Sequence, residues 1–170
     1  DNHPKWVGHF TFIQIAAPSR SAIERYQQFE TEVLALVQRI NSKFGGPDYK
    51  PIHLIVEHHD PDQVFEYLRG ADVCFVSSLH DGMNLVAKEF VAAREDEQGV
   101  LVLSQFAGAS KELLEALIIN PYDTDQCANA LNAALNMSES EQQDRMRNLR
   151  GIIREYNVYR WAGRMLLDAA

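Results

Sequence analysis

Short apolar runs alternate along this chain with longer segments of helical periodicity. His9–Ala16, Pro51–Val56, Ala71–Val76, Val100–Leu103 and Ala116–Ile119 read as strands, each bounded by turn residues. The last three lack the polar alternation of a half-solvated sheet, so they are expected to be buried on both faces. Between the first two runs, Ile23, Tyr26, Phe29, Val33, Leu36, Val37 and Ile40 form one helical stripe. Ser21-Ala22-Ile23-Glu24 fits a capping box at its start, and Gly45-Gly46-Pro47 supplies its stop. Asp60 and Pro61 open a short helix that Gly70 ends, and a further helix is predicted from about Met83 to Arg94. Asp123 opens another, to about Asn136. Ser138-Glu139-Ser140-Glu141 is a second capping box, starting a long polar helix, and Tyr156–Ala170 is a last helical segment. Strands alternating with helices predict an α/β fold, a parallel sheet covered on both faces.

With 170 residues the chain suits one domain, 1–170, whose C-terminal helices start at about 138. A formal net charge of −8 argues against a nucleic-acid partner bound through phosphate neutralisation. No apolar run reaches the length of a membrane span and no signal peptide opens the sequence, so no membrane partner is expected. Two cysteines without a CxxC spacing, Cys74 in a strand and Cys127 in a helix, fit a reduced, cytoplasmic protein. Four histidines, His53, His58, His59 and His80, lack the i, i+4 spacing of a zinc-binding helix, so no metal site is expected.

The candidate chemistry lies at Leu79–Phe90. An apolar strand runs into Asp81-Gly82 and then into a helix whose first amides, at Asn84, Leu85 and Val86, are expected to be unpaired and to form an anion site. On a helical wheel Leu85, Val86, Phe90 and Ala93 share the apolar face, and Glu89 falls among them, where a carboxylate is costly without a partner. Ser104–Ser110 is a loop of small residues. It either lets a ligand or a facing domain approach closely or is a plain strand-to-helix connection. Arg145, Arg147, Arg150 and Arg154 read as the solvated face of a helix.

Ala71-Asp72-Val73, Asp81–Phe90, Gly99–Ala109 and Asn120-Pro121-Tyr122 together closely resemble the donor-site segment of the trehalose-phosphate synthase family. That family comprises retaining, sugar-nucleotide-dependent glycosyltransferases of the two-domain GT-B fold. The resemblance implies a Rossmann-like C-terminal donor domain of about five strands, with the first strand of that domain missing. It implies that Asp81, with backbone groups of Gly82 and Met83, meets the donor sugar. The amides of Asn84, Leu85 and Val86 would hold the diphosphate, and Glu89 the ribose hydroxyls. His58 and Val64 fall where the uracil pocket is expected, and His80 replaces an Arg common in the family. No cofactor is implied; UDP-glucose is the substrate.

The family's Arg and Lys diphosphate clamp and its N-terminal acceptor domain have no counterpart in these residues. The chain is therefore expected to be a fragment of a synthase that passes glucose to glucose 6-phosphate, inactive by itself. The strands at His9–Ala16 and Ala71–Val76 would lack a neighbour between them, and would pair directly or drive self-association. The alternatives are a non-catalytic nucleotide-sugar-binding or regulatory module, or a related synthase with another acceptor such as glycerol phosphate.

Overall fold

The computed structural model describes residues 2–17 and 24–168. It divides into two compact units, Asp1–Asp60 and Pro61–Ala170.

In the first unit, strand β1 (Phe12–Ala16) pairs in parallel with β2 (Ile52–Val56) in the register Phe12↔Ile52 to Ala16↔Val56. Helix α1 (Glu24–Phe44) connects them and packs on β2. The capping box beginning at Ser21, and Ile23 with it, lie outside the described residues. Asn41 near the end of α1 ties the helix to β2 by both halves of its amide: Oδ1 accepts from Ile52 N–H (3.0 Å) and Nδ2 donates to the Ile52 carbonyl (2.9 Å). The stripe expected to be core is only partly covered. Val33, Val37 and Ile40 are half-buried, but Phe29 is 65% and Leu36 45% exposed. A two-stranded sheet is too narrow to cover a stripe that wide, and Pro51 is the one fully buried residue among those described in this unit.

The second unit contains the buried core. Helix α2 (Pro61–Gly70) leads to β3 (Val73–Val76), and β3, β4 (Val100–Ser104) and β5 (Leu117–Ile119) form a parallel sheet in that order. All five residues of β4 are buried, as a central strand covered on both faces requires. Leu101 and Leu103 pack to one side with Phe90 and Val91 of α3 (Leu85–Ala93) and Met146 and Leu149 of α5 (Glu139–Glu155). Val100 and Val102 pack to the other, with Ala134 of α4 (Thr124–Asn136). Asp123 caps α4, accepting from Gln126 N–H at 2.9 Å, and Ser138 caps α5, accepting from Glu141 N–H at 3.3 Å. Helix α6 (Val158–Asp168) ends the chain with Tyr159, Leu166 and Leu167 exposed.

The ladders are β1-β2 and β3-β4-β5, so the expected direct pairing of β1 with β3 is not among them. Strands β1 and β2 are joined through α1, β3 and β4 through α3, and β4 and β5 through the short 3-10 turn Gly108–Lys111. The arginines of α5 are more than a solvated face. Arg145 donates to the Glu115 carbonyl (3.0 Å), Arg147 pairs with Glu97 (3.0 Å), and Arg150 donates to the carbonyls of Val91 and Ala92 (3.0 and 2.9 Å). Long guanidinium side chains reach carbonyls that a helix end leaves unpaired.

Candidate functional site

Strand β3 ends at Val76, and the chain turns through Ser77–Met83 before α3 begins. Asn84 is the N-cap of that helix, at φ 77° and ψ 95°, a left-handed backbone that few residues besides Gly, Asn and Asp accept. Its carboxamide oxygen accepts from Ala87 N–H at 2.9 Å. Its nitrogen donates to Asp81 Oδ2 at 3.0 Å and to Ser78 Oγ at 3.4 Å. Asp81 Oδ1 also accepts from Met83 N–H at 3.1 Å. Donation from Met83 N–H, then from the Asn84 side chain, holds the Asp81 carboxyl below the usual carboxylate range. Asp81 is thus an oriented, ionised carboxylate, half-buried at the mouth of the loop.

The α3 N-terminus is open, but by two amides rather than three. Asn84 belongs to the cap and its N–H faces Asp81. Ala87 N–H is taken by the cap, so Leu85 and Val86 carry the amides without an acceptor among the described residues. The face that the helix turns to the core overlaps the one the wheel predicts only in part: Phe90 and Ala93 are buried as expected, but the first two residues are not. Leu85 is 65% and Val86 46% exposed, whereas Ala87, Phe90 and Val91 are fully buried. Glu89 therefore lies half-buried on the Leu85 side, where no described residue pairs with its carboxylate. Lys88, its neighbour, is committed elsewhere, to Glu112 Oε2 at 2.6 Å.

The small-residue loop after β4 meets this turn directly. Asp81 N–H donates to the Phe106 carbonyl (3.2 Å), Gly108 N–H to the Asp81 carbonyl (2.9 Å) and Ala109 N–H to the Met83 carbonyl (2.7 Å). A parallel bridge Asp81↔Ala107 continues the sense of the β3-β4 ladder. The close neighbour that Gly108 admits is the Gly82 backbone. At the other end of α3, buried Arg94 donates to the Arg69 and Ala71 carbonyls (2.5 and 2.7 Å) and bidentately to Asp96 (3.1 and 2.9 Å).

Of the remaining candidates, His80 is exposed beside Asp81. His58 is exposed in the segment after β2, and Val64 is half-buried on α2; they belong to different units, each described by itself. No cluster of three or more His, Cys, Asp or Glu able to hold a metal occurs among the described residues. No helix among them is long and apolar enough to cross a membrane. Sequence reasoning missed the cap, although an Asn directly before an apolar run is the recognised N-cap signal. It also missed Ser78, the Lys88–Glu112 pair and the contact between Gly108 and Gly82, which join segments distant in the chain.

A parallel sheet covered on both faces, with an ionised turn and an open helix N-terminus at the carboxyl ends of its strands, places the chain in the Rossmann-like α/β class. The family is shown by comparison: the chain belongs to glycosyltransferase family 20, whose family model matches residues 1–170. It is 41% identical over 160 residues to the UDP-forming α,α-trehalose-phosphate synthase 2 of Aspergillus fumigatus, covering 94% of this chain and 33% of that protein. A solved UDP-forming synthase from Burkholderia xenovorans superposes with a TM-score of 0.95 at 39% identity, covering 98% of this chain and 38% of that one. An E. coli structure described as bound with UDP-2-fluoro glucose gives 0.94 at 40% identity, covering 98% and 37%. The chain spans about a third of the length of the relatives it matches.

Proposed function

We propose that the chain is the donor-binding half of an α,α-trehalose-phosphate synthase that transfers glucose from UDP-glucose, or another nucleotide-glucose, to glucose 6-phosphate with retention. The observation that carries this is the joining of Asp81, the open amides of Leu85 and Val86 and the unpaired Glu89 on one turn and helix. That array occurs in a chain similar to a protein described as bound with UDP-2-fluoro glucose. An ionised carboxylate accepts hydroxyl donors, and two parallel N–H groups at the positive end of a helix suit a diphosphate.

In this reading Asp81 and the Gly82 backbone meet the donor glucose, with Met83 and Asn84 holding Asp81 in place. Leu85 and Val86 bind the diphosphate, and Glu89 takes the vicinal ribose hydroxyls. Val64, on α2 of the same unit, falls on the uracil side of the donor. Residues 1–170 act as one donor domain, with the helices from about 138 as its C-terminal part. The acceptor domain and the diphosphate clamp come from the rest of the protein, so the chain alone does not turn over. Two free thiols suit a cytoplasmic setting.

Titration calorimetry of UDP into the chain tests the reading. Without the clamp, affinity is expected to be weak, with a Kd of about 100 µM or above. Glu89→Ala should weaken it roughly tenfold further, the scale of one hydrogen-bonded charged contact. An affinity unchanged by Glu89→Ala removes Glu89 from the site.

A further inference from the structure

We propose that Gly108 is a positioning residue for the donor sugar: by lacking a side chain it lets the loop after β4 grip the Asp81–Met83 turn and set where the sugar-facing groups stand. The proposal rests on the donor-site reading above and adds to it a residue that touches no ligand.

The constraint at Gly108 is steric. A Cβ at Gly108 would lie 2.8 Å from the carbonyl carbon of Gly82, closer still to its oxygen, and 3.3 Å from Met83 Cα. All three are backbone atoms, so no side chain can swing away. Gly108 does not occupy the left-handed region, so the demand for glycine comes from this contact and not from its own φ. The contact is also hydrogen-bonded on both flanks, by Gly108 N–H to Asp81 and Ala109 N–H to Met83.

Burial decides which side would yield to an added methyl. Ala109 and Leu113 are fully buried, Leu113 N–H donates to the Ala109 carbonyl at 2.9 Å, and Glu112 is pinned by Lys88. Gly82 and Met83 are exposed. The turn must move, carrying Asp81 and Gly82 with it. Helix α3 stays, because Ala87, Phe90 and Val91 anchor it in the core. The defect is therefore confined to the sugar end of the site and spares the Leu85 and Val86 amides and Glu89. Gly82 presents the opposite case: nothing lies within 4 Å of a Cβ built there, and its φ is not positive. The fold does not require glycine at that position, and the open space above it is room for a ligand.

The experiment compares the unsubstituted chain with Gly108→Ala and Gly82→Ala, titrated with UDP and with UDP-glucose. Amide hydrogen exchange of the ligand-free proteins is measured alongside. Gly108→Ala is expected to weaken UDP-glucose about tenfold while changing UDP by less than about twofold. The amides of Asp81 and Ala109 should exchange about tenfold faster, and those of Leu103 and Leu113 at the original rate. Equal weakening of both ligands, or unchanged exchange at Asp81 and Ala109, would overturn the proposal. Failure of the donor-site reading looks different: the unsubstituted chain would not bind UDP-glucose, or Gly82→Ala would leave its binding unchanged. If Gly82→Ala blocks UDP-glucose but Gly108→Ala does not separate the two ligands, the reading stands and the positioning role falls.

Discussion

Asn84 performs two tasks that substitution can separate. It caps α3 through Ala87 N–H, and it occupies φ 77°. Asn84→Ala removes the cap, worth about 1 kcal/mol, and places a Cβ without compensating hydrogen bonds in the left-handed region, costing about 1 kcal/mol more. Asn84→Gly keeps the backbone at ease, and glycine replaces Asn at an N-cap for only a few tenths of a kcal/mol. The expected losses are thus about 2 kcal/mol for Ala and about 0.5 kcal/mol for Gly. Both variants lose the cap hydrogen bond and free the Asp81 carboxylate, so the difference of about 1.5 kcal/mol isolates what a Cβ costs at this N-cap and backbone angle. Urea unfolding followed by far-UV circular dichroism measures both losses. Hydrogen exchange at Ala87 localises them, since that amide loses its acceptor. Equal stability of the two variants would refute the backbone part of the reasoning. An Ala variant as stable as the unsubstituted chain would refute both parts.

Two further outcomes follow from the titrating groups. Asp81 should titrate below the ordinary carboxylate range in the folded chain, and move back toward it in Asn84→Ala. Because its folded pKa is lowered, its contribution to stability is complete above the unfolded pKa and disappears as pH falls through the folded one. NMR of the carboxyl carbon, with stability measured across the acid range, checks both; a pKa unmoved by Asn84→Ala would show that the Asn84 contact does not matter. Cys74, whose thiol burial pushes up to about 12, should resist alkylation at pH 8, with a thiolate fraction about a thousandfold below that of the unfolded chain. Rapid labelling of Cys74 by mass spectrometry under native conditions would contradict that burial.

What could be read in the sequence followed local chemistry. β4 is apolar from Val100 to Leu103 because both of its faces are covered, and the caps at Asp123 and Ser138 are formed by short side chains acting within four residues. The turn at Asp81-Gly82 and the helix after it were visible for the same reason. The buried face of α3 was not. Its sequence Leu-Val-Ala-Lys-Glu-Phe-Val-Ala-Ala is apolar nearly all round, so periodicity could not choose between Leu85-Val86 and Ala87-Val91. α5 and the sheet made that choice. The stripe on α1 shows the converse: a correct helix whose Phe29 stays exposed, because amphipathicity states what a helix could bury and not what it meets. The grip of Gly108 on Gly82, and of Arg150 on the carbonyl 59 residues earlier, exist only once the sheet has formed.

That last contact bears on how a ligand would be received. Arg150 places a guanidinium on the final carbonyls of α3, and Arg94 leaves the same end locked to Arg69, Ala71 and Asp96. A positive group at the carbonyl end offsets the negative pole of the helix, and the positive pole stays uncovered where an anion would land. The helix is thus moored at its tail with its head free, and its axis is set before any encounter. A diphosphate arriving there would have little chain to order, so nearly all of its attraction could appear as affinity instead of being consumed in freezing a floppy segment.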